Sequence, residues 1–400
     1  MNATAVADSR TSSSGGQGIL LALVVIGAAA FIHGLMQPEP WQAWAIYLVN
    51  LLFWSSLAIA GPAASAMLQL TEARWSPSIK RVALTTGGFL PFSFVLFLLF
   101  FLGMSTLYPW VNNPALVEKK SQWLNVPFFV LRNVVGVLLL YWVAIIFTRA
   151  VFAEGTGGDE AAALARRNRL SGILLMLFVL VLSLWGFDLI MSLDPVWYSG
   201  LLGGYFVVST LYIGFGLVTY LSIRSNARGL THVSPSAIQD IAKLTFSMCV
   251  MWLYFFFSQY LVIWYGNVPV ETRFFLRRFF DDPWRTMAFV IFVAGWLVPF
   301  SYLLKCLTGR PPAAHKPLVV ILFMGWVSMF LERVLQIYRA STTTNRFPIG
   351  LREVLVTAGF FGLFVLSRNR MVARYASRLD QGRETRSSRR AAVQWRGDLR

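Results

Sequence analysis

Ten apolar runs, 18 to 28 residues long, leave this 400-residue chain few ways to fold; they span roughly 18–36, 43–69, 82–104, 126–148, 169–192, 196–223, 244–266, 286–306, 317–338 and 350–367. About twenty apolar residues in helical form cross the hydrocarbon core of a bilayer. Within that core every backbone N–H and C=O must be paired inside the segment or inside a closed barrel. Continuous apolar runs, rather than alternating ones, select helices. The expected fold is therefore all-α, a polytopic membrane protein of about ten transmembrane helices. A polar N-terminal segment over 1–17, a ten-helix domain over 18–367 and an Arg-rich tail over 368–400 make up the chain.

Composition agrees with that division. Hydrophobic residues are 56 % of the chain, charged residues 13 %, and the mean hydropathy is +0.60. A soluble domain carries about a quarter charged residues. The net charge of +17 would suit a nucleic-acid binder if it formed one soluble surface, but it sits in loops and tails between apolar runs. Nucleic acid is therefore excluded as a partner, and the charge reports orientation instead. Arg10, the 74–81 loop, Arg149 with 166–169, 224–243, 305–316 and the ten tail arginines hold 24 basic residues on one side. The other side holds nine, in 119–120, 273–285 and 339–352. The richer side is expected to be cytoplasmic, with both termini there. Ala28, Ala29 and Ala30 end the first apolar run in the manner of a cleavage site. The preceding segment, with Asp8, Arg10 and a Ser/Gly stretch, is no positive n-region, so a retained first helix is expected.

The chain is poor in metal ligands. Cys249 and Cys306 are isolated, forming neither a disulfide framework nor a CxxC motif. His33, His232 and His315 are the three histidines, and only His33 lies within an apolar run. A bis-histidine haem needs two ligands from facing helices. The expectation is no intrinsic haem, iron–sulfur cluster or metal.

Ionisable residues inside hydrocarbon are costly and mark function by default. Arg132 lies two turns into the fourth run, Asp188 near the end of the fifth, and Glu332 and Arg333 in the ninth. All three sites, with His33, are expected near the periplasmic side. Glu72 is the acidic residue at the opposite mouth. On the sixth run Tyr205, Ser209, Tyr212, Gly216 and Thr219 share one helical face. Tyr254, Ser258 and Tyr265 share another on the seventh, with Gln259 alongside. Gly325, Ser328, Glu332, Gln336 and Arg339 form a third on the ninth. Three such stripes can line a proton path, in which carboxylates exchange protons and Arg132 and Arg333, which do not, tune them. They can also serve interhelical packing. Asp194-Pro195 and Asp282-Pro283 are expected to cap helices six and eight. Gly61-Pro62 and Pro91 are expected to kink helices two and three. Alternating Phe and Arg over 273–280 suggest a helix lying in the membrane interface.

Three stretches resemble a known family: Trp123-Leu-Asn-Val-Pro-Phe-Phe-Val-Leu-Arg132, Phe187-Asp-Leu-Ile-Met-Ser-Leu-Asp-Pro-Val-Trp197 and Ser258-Gln-Tyr-Leu-Val-Ile-Trp-Tyr-Gly-Asn-Val-Pro-Val-Glu-Thr272. Together they resemble the second membrane subunit of bacterial alternative complex III, in the polysulfide-reductase-like (NrfD-like) superfamily. The resemblance implies two four-helix bundles plus two peripheral helices in the bacterial inner membrane. It implies a subunit of a quinol:cytochrome c, or quinol:oxidase, oxidoreductase. The partners would be multihaem cytochrome c, iron–sulfur and sister membrane subunits, with a terminal oxidase beyond them. The haems and clusters would sit on those partners, and a quinone environment could include this chain. Arg132, Asp188, Asp194, Tyr265 and Glu271 match the family's positions. Val196 and Val270 depart from it, standing where a histidine and a second acidic residue are expected. A stand-alone secondary transporter and a purely structural scaffold are the competing readings.

Overall fold

The computed structural model describes residues 3–73, 75–154, 159–307, 315–341 and 347–379. The tail from residue 380 onward, and Arg74, Arg310 and Arg346 of the charge count, lie outside the described residues. Among those described there are helices and no strands. Among the described residues nine helices are long and apolar enough to cross a membrane, so the chain is a multi-pass helical membrane protein.

In chain order the long helices are α1 (Ala3–Leu35), α2 (Pro40–Leu70), α3 (Pro77–Leu107), α4 (Val126–Phe152), α5 (Glu160–Leu193), α6 (Leu202–Ala227) and α7 (Pro235–Gly266). A short helix α8 (Pro269–Phe279) follows, then α9 (Trp284–Leu307), α10 (His315–Ser341) and α11 (Leu351–Tyr375). α11 occupies the tenth apolar run but falls outside the nine. It carries Arg352 and Glu353 in its first turn and Arg368, Arg370 and Arg374 toward its end.

Two helices form the interior. α2 and α6 are buried along almost their whole length, 94 % and 89 % of their most apolar stretches. α2 packs on α5, α3 and α6; α6 packs on α7, α5 and α10; α9 packs on α10 and α7. The near-absence of polar faces on α2 follows from this, since a helix buried all round gains nothing from amphipathicity. α1 lies outside, paired with α11 through glycine. A Cβ on Gly27 would stand 2.6 Å from the Gly359 Cα. Small residues that let two backbones touch are how helices associate where no hydrophobic effect separates protein from lipid.

Local sequence explains the irregular places. Pro62 sits inside α2, beside Gly61, where a Cβ would meet the Ala83 carbonyl oxygen and Thr86 Oγ1 at 2.2 Å. α3 tightens to a 3₁₀ turn over Thr85–Phe89 and resumes as α-helix with Pro91 in its first turn, as expected of a proline that has no N–H to give. The expected caps differ. α6 starts at Leu202 with Leu201 as its cap, and α9 starts at Trp284 after Pro283. The reason for the first is a π turn over Gly186–Ile190 and a 3₁₀ turn over Met191–Leu193. They use up the residues before Asp194, which ends the 3₁₀ turn and leaves 194–201 as a loop.

α8 also departs from expectation. Its aromatic face turns toward the protein: Phe274 stacks on Trp197 with ring centres 3.7 Å apart and planes 8° from parallel. Phe274 and Phe275 are buried while Leu276 and Phe280 are exposed. The helix folds over the ends of α7, α9 and α10, and closes that end of the bundle.

Candidate functional site

Among the described residues, the intramembrane charges build two centres, one around Asp188 on α5 and one around Glu332 on α10. The first is built on the π turn of α5. A π turn inserts one residue into the ladder and re-aims the side chains beside it; here it brings Asp188 inward, to 0 % exposure. Arg132 on α4 meets that carboxylate in a fork, Nε to Oδ2 at 2.7 Å and a terminal nitrogen to Oδ1 at 2.8 Å. The Asn133 amide donates to Oδ2 at 2.6 Å and the Trp123 indole to Oδ1 at 3.1 Å. Arg132 also donates to the Trp123 carbonyl at 2.6 Å and lies 4.2 Å from that residue's ring centre. Each carboxylate oxygen thus accepts two donors, and the guanidinium is fixed by fork geometry and by an aromatic face. The centre ties α4 to α5 and the 121–125 loop, and its carboxylate presents no oxygen without a partner.

The second centre is different in kind. Glu332 on α10 is 3 % exposed. Its Oε1 accepts from the Tyr205 hydroxyl on α6 and from the Trp252 indole on α7 at 3.2 Å. Its Oε2 has no hydrogen-bond partner, and the neighbouring guanidinium of Arg333 stands 3.8 Å away. Arg333 turns elsewhere, donating to Ser209 on α6 and to Gln336 at 2.9 Å, with its guanidinium 4.1 Å from the Phe206 ring centre. A cavity of about 520 Å³ adjoins this centre, lined by Glu332, Tyr205, Trp252, Gln259, Gln336 and Arg278 among a majority of aromatic residues.

Arg278 on α8 closes the far wall. It is 4 % exposed, donates only to the carbonyls of Phe274 and Gln336 at 3.1 Å, and stacks 3.6 Å over the Phe274 ring. Burial pushes its guanidinium down to about 9 against the pull of Asp194, because the charged form loses its hydration there.

The stripes read from sequence divide unevenly. On α6 all five positions are inward: Tyr212 donates to the Gly295 carbonyl at 2.9 Å and Thr219 to the Phe215 carbonyl at 2.8 Å. Tyr205 and Tyr212 are seven positions apart, about 10 Å along the axis, so a proton passing between their hydroxyls needs water in between. On α10 the stripe is inward too, with Arg339 bound to Asp281 at its end. On α7 it is not. Tyr254 is 60 % and Tyr265 86 % exposed, and Gln259, their neighbour, is the residue that faces the cavity. Ser258 is half-buried.

The remaining candidates stay outside both centres. His33 is exposed and bonds to Gln37 at 3.2 Å. Glu72 is exposed, just past the end of α2. Asp194 receives Arg273 at 3.4 Å, pinning the 194–201 loop to α8. Glu271 lies in the first turn of α8, where a negative charge favours the helix end. Trp123, Asn133, Trp252 and Arg278 escaped the reading of the sequence as site residues. Asn133 follows Arg132 directly in an apolar run, and that adjacency was the available signal. A scan of the chain against protein-family models and a search of curated proteins find no match.

Proposed function

We propose that the chain is a membrane subunit of a respiratory quinol:cytochrome c, or quinol:oxidase, oxidoreductase of the bacterial inner membrane, and that Glu332 is its proton-exchanging group. One observation carries this reading. Glu332 is a carboxylate inside an apolar span, on the lining of a cavity, held by two donors on one oxygen and without a hydrogen-bond partner on the other. A purely structural carboxylate is expected to have both oxygens satisfied, as Asp188 does. Arg333 stays charged and its 3.8 Å separation lets it bias Glu332 without locking it.

The finer architecture belongs to the same proposal. α2, α3, α4 and α5 form one four-helix group around Asp188, and α6, α7, α9 and α10 form the other around Glu332. α1 and α11 are the peripheral pair. The packing of α2 on α5 and of α6 on α7 and α10 supports this division, as does the pairing of α1 with α11. Both termini are placed in the cytoplasm on the basic-residue asymmetry. Haem and iron–sulfur groups would reside on partner subunits.

The test is recovery of the tagged chain in mild detergent, with co-purifying subunits identified by mass spectrometry and haem read from the optical spectrum. Multihaem cytochrome c and iron–sulfur partners are the expected result. A colourless chain recovered alone would overturn the assignment. A structural scaffold is the second reading, and the closed Asp188–Arg132 centre favours it for the first helix group. There, neutralising Asp188 would change stability and leave proton stoichiometry intact.

A further inference from the structure

No side chain fills the cavity of about 520 Å³ between α7, α8, α9 and α10. Its accessible wall is almost wholly apolar, because the unpaired atoms of its polar residues, Glu332 Oε2, Gln259 Nε2 and Arg278 Nε, have next to no accessible surface. Water gains little in such a space, since a stable buried water needs two to four polar partners. Left empty, it forfeits dispersion contacts along every ring that lines it. The space suits hydrocarbon.

Its mouth lies at the depth where hydrocarbon is found. Phe257 on α7 and Phe289 on α9 line the cavity and are 54 % and 67 % exposed, so it opens through the side of the bundle. Phe257 is about 14 Å along the axis from the end of α7, where Trp264 and Tyr265 are exposed. Exposed Trp and Tyr collect at membrane–water interfaces, which sets the mouth below that belt. On α9, Arg285, Ala288, Phe289 and Phe292 fall at offsets 0, 3, 4 and 7, one helical face, and all four line the cavity. Arg285 is in the first turn of α9, so this face runs from a cation at headgroup level to rings at hydrocarbon depth. Arg285 also pairs with Asp282 at 2.8 Å, but both side chains are more than half exposed. An ion pair so exposed contributes little and exchanges readily for another anion.

We propose that the cavity holds one acyl chain of an anionic phospholipid whose phosphate sits on Arg285. The chain enters past Phe257 and Phe289 and lies along Phe256 and Phe292, while the second acyl chain stays in the bilayer. A neutral lipid would fill the same volume and leave Arg285 unused. Bound there, the acyl chain completes the packing around Trp252, whose indole holds Glu332, and keeps that carboxylate dry on the membrane side. The inference rests on the membrane fold. It stands or falls independently of whether the chain works inside an oxidoreductase.

The test places the full chain in phosphatidylcholine nanodiscs with a titrated phosphatidylglycerol that carries a photoreactive diazirine on one acyl chain. Labelled residues are then mapped by mass spectrometry. Saturable labelling near one per chain is expected on the cavity residues of α7 and α9, competed by plain phosphatidylglycerol. The lipid-facing stretch around Met176 on α5 should label weakly and without saturation. Arg285→Gln should weaken the saturable component about fivefold, the scale of one basic residue against an anionic headgroup. Ala288→Phe, which fills the cavity from α9, should abolish it. Phe289→Ala, at an exposed part of the wall, leaves the core intact and should weaken labelling severalfold even if Ala288→Phe fails to fold. Labelling spread without saturation over all lipid-facing helices, or saturable labelling indifferent to these variants, would overturn the proposal. Equal labelling by a diacylglycerol with the same diazirine chain would overturn the role of Arg285. Labelling of α7 and α9 in the isolated chain but not in native membranes would overturn the proposal in favour of an apolar partner helix.

Discussion

Arg132 and Asp188, on neighbouring helices and 56 positions apart in the chain, join through two parallel hydrogen bonds of 2.7 and 2.8 Å. Glu332 and Arg333 are adjacent in the chain and yet stand 3.8 Å apart without a hydrogen bond between them. The two centres use the same pair of charges for opposite purposes. One satisfies both oxygens of its carboxylate; the other leaves one carboxylate oxygen without a partner beside a cavity.

The closed centre predicts an asymmetric mutant cycle. Removing one partner of a buried ion pair costs about 3–5 kcal/mol, while replacing both by apolar residues is often close to neutral. Arg132→Leu should therefore lower the melting temperature of the purified chain clearly, and Arg132→Leu/Asp188→Leu should recover much of the loss. A single variant as stable as the parent would show that the pair does no structural work.

Tyr205 and Glu332 make a finer prediction. Tyr205→Phe removes one of two donors to Oε1, and a hydrogen bond to a charged group contributes about 1.5–3 kcal/mol. Proton-coupled activity of the complex should fall, with the pH profile displaced, while the subunit still assembles. Loss of assembly with an unchanged profile in the surviving fraction would mark Tyr205 as a packing residue.

The α1–α11 pair should depend on backbone proximity. A Cβ at Gly359 would meet the Gly27 Cα at 2.9 Å, and one at Gly362 the Leu20 carbonyl oxygen at 2.8 Å. Gly359→Leu should free α1, read as loss of a short bifunctional cross-link between cysteines placed at the exposed positions of Ile26 and Phe361. The core around α2 and α6 should keep its thermal stability, because neither helix relies on that crossing. A retained cross-link would contradict the packing.

The membrane fold was legible because its cause is local: an apolar run of twenty residues has few alternatives. The intramembrane charges were legible for the same reason, since Arg132, Asp188, Glu332 and Arg333 interrupt runs that otherwise exclude them. What joins them was not. Pairing across 56 residues depends on a π turn in α5, which neither Gly186 nor Asp188 announces. The α7 stripe misled because helical spacing gives a face without saying where it points. Tyr254 and Tyr265 face outward, and Gln259, one step round the helix, faces in. For α8, alternating Phe and Arg suit a membrane surface and a protein surface equally, and Trp197, 77 positions before Phe274, decides between them. The cap expected at Asp194 failed because turns ahead of it took up the chain.

The most direct measurement is the proton-to-electron stoichiometry of the purified complex in sealed vesicles, compared between the parent, Glu332→Gln and Asp188→Asn. Glu332→Gln should lose proton translocation while the complex assembles and electron transfer persists, and Asp188→Asn should mainly lower stability. An unchanged stoichiometry in an assembled Glu332→Gln complex would contradict the assignment of Glu332 and leave both centres as structural ties.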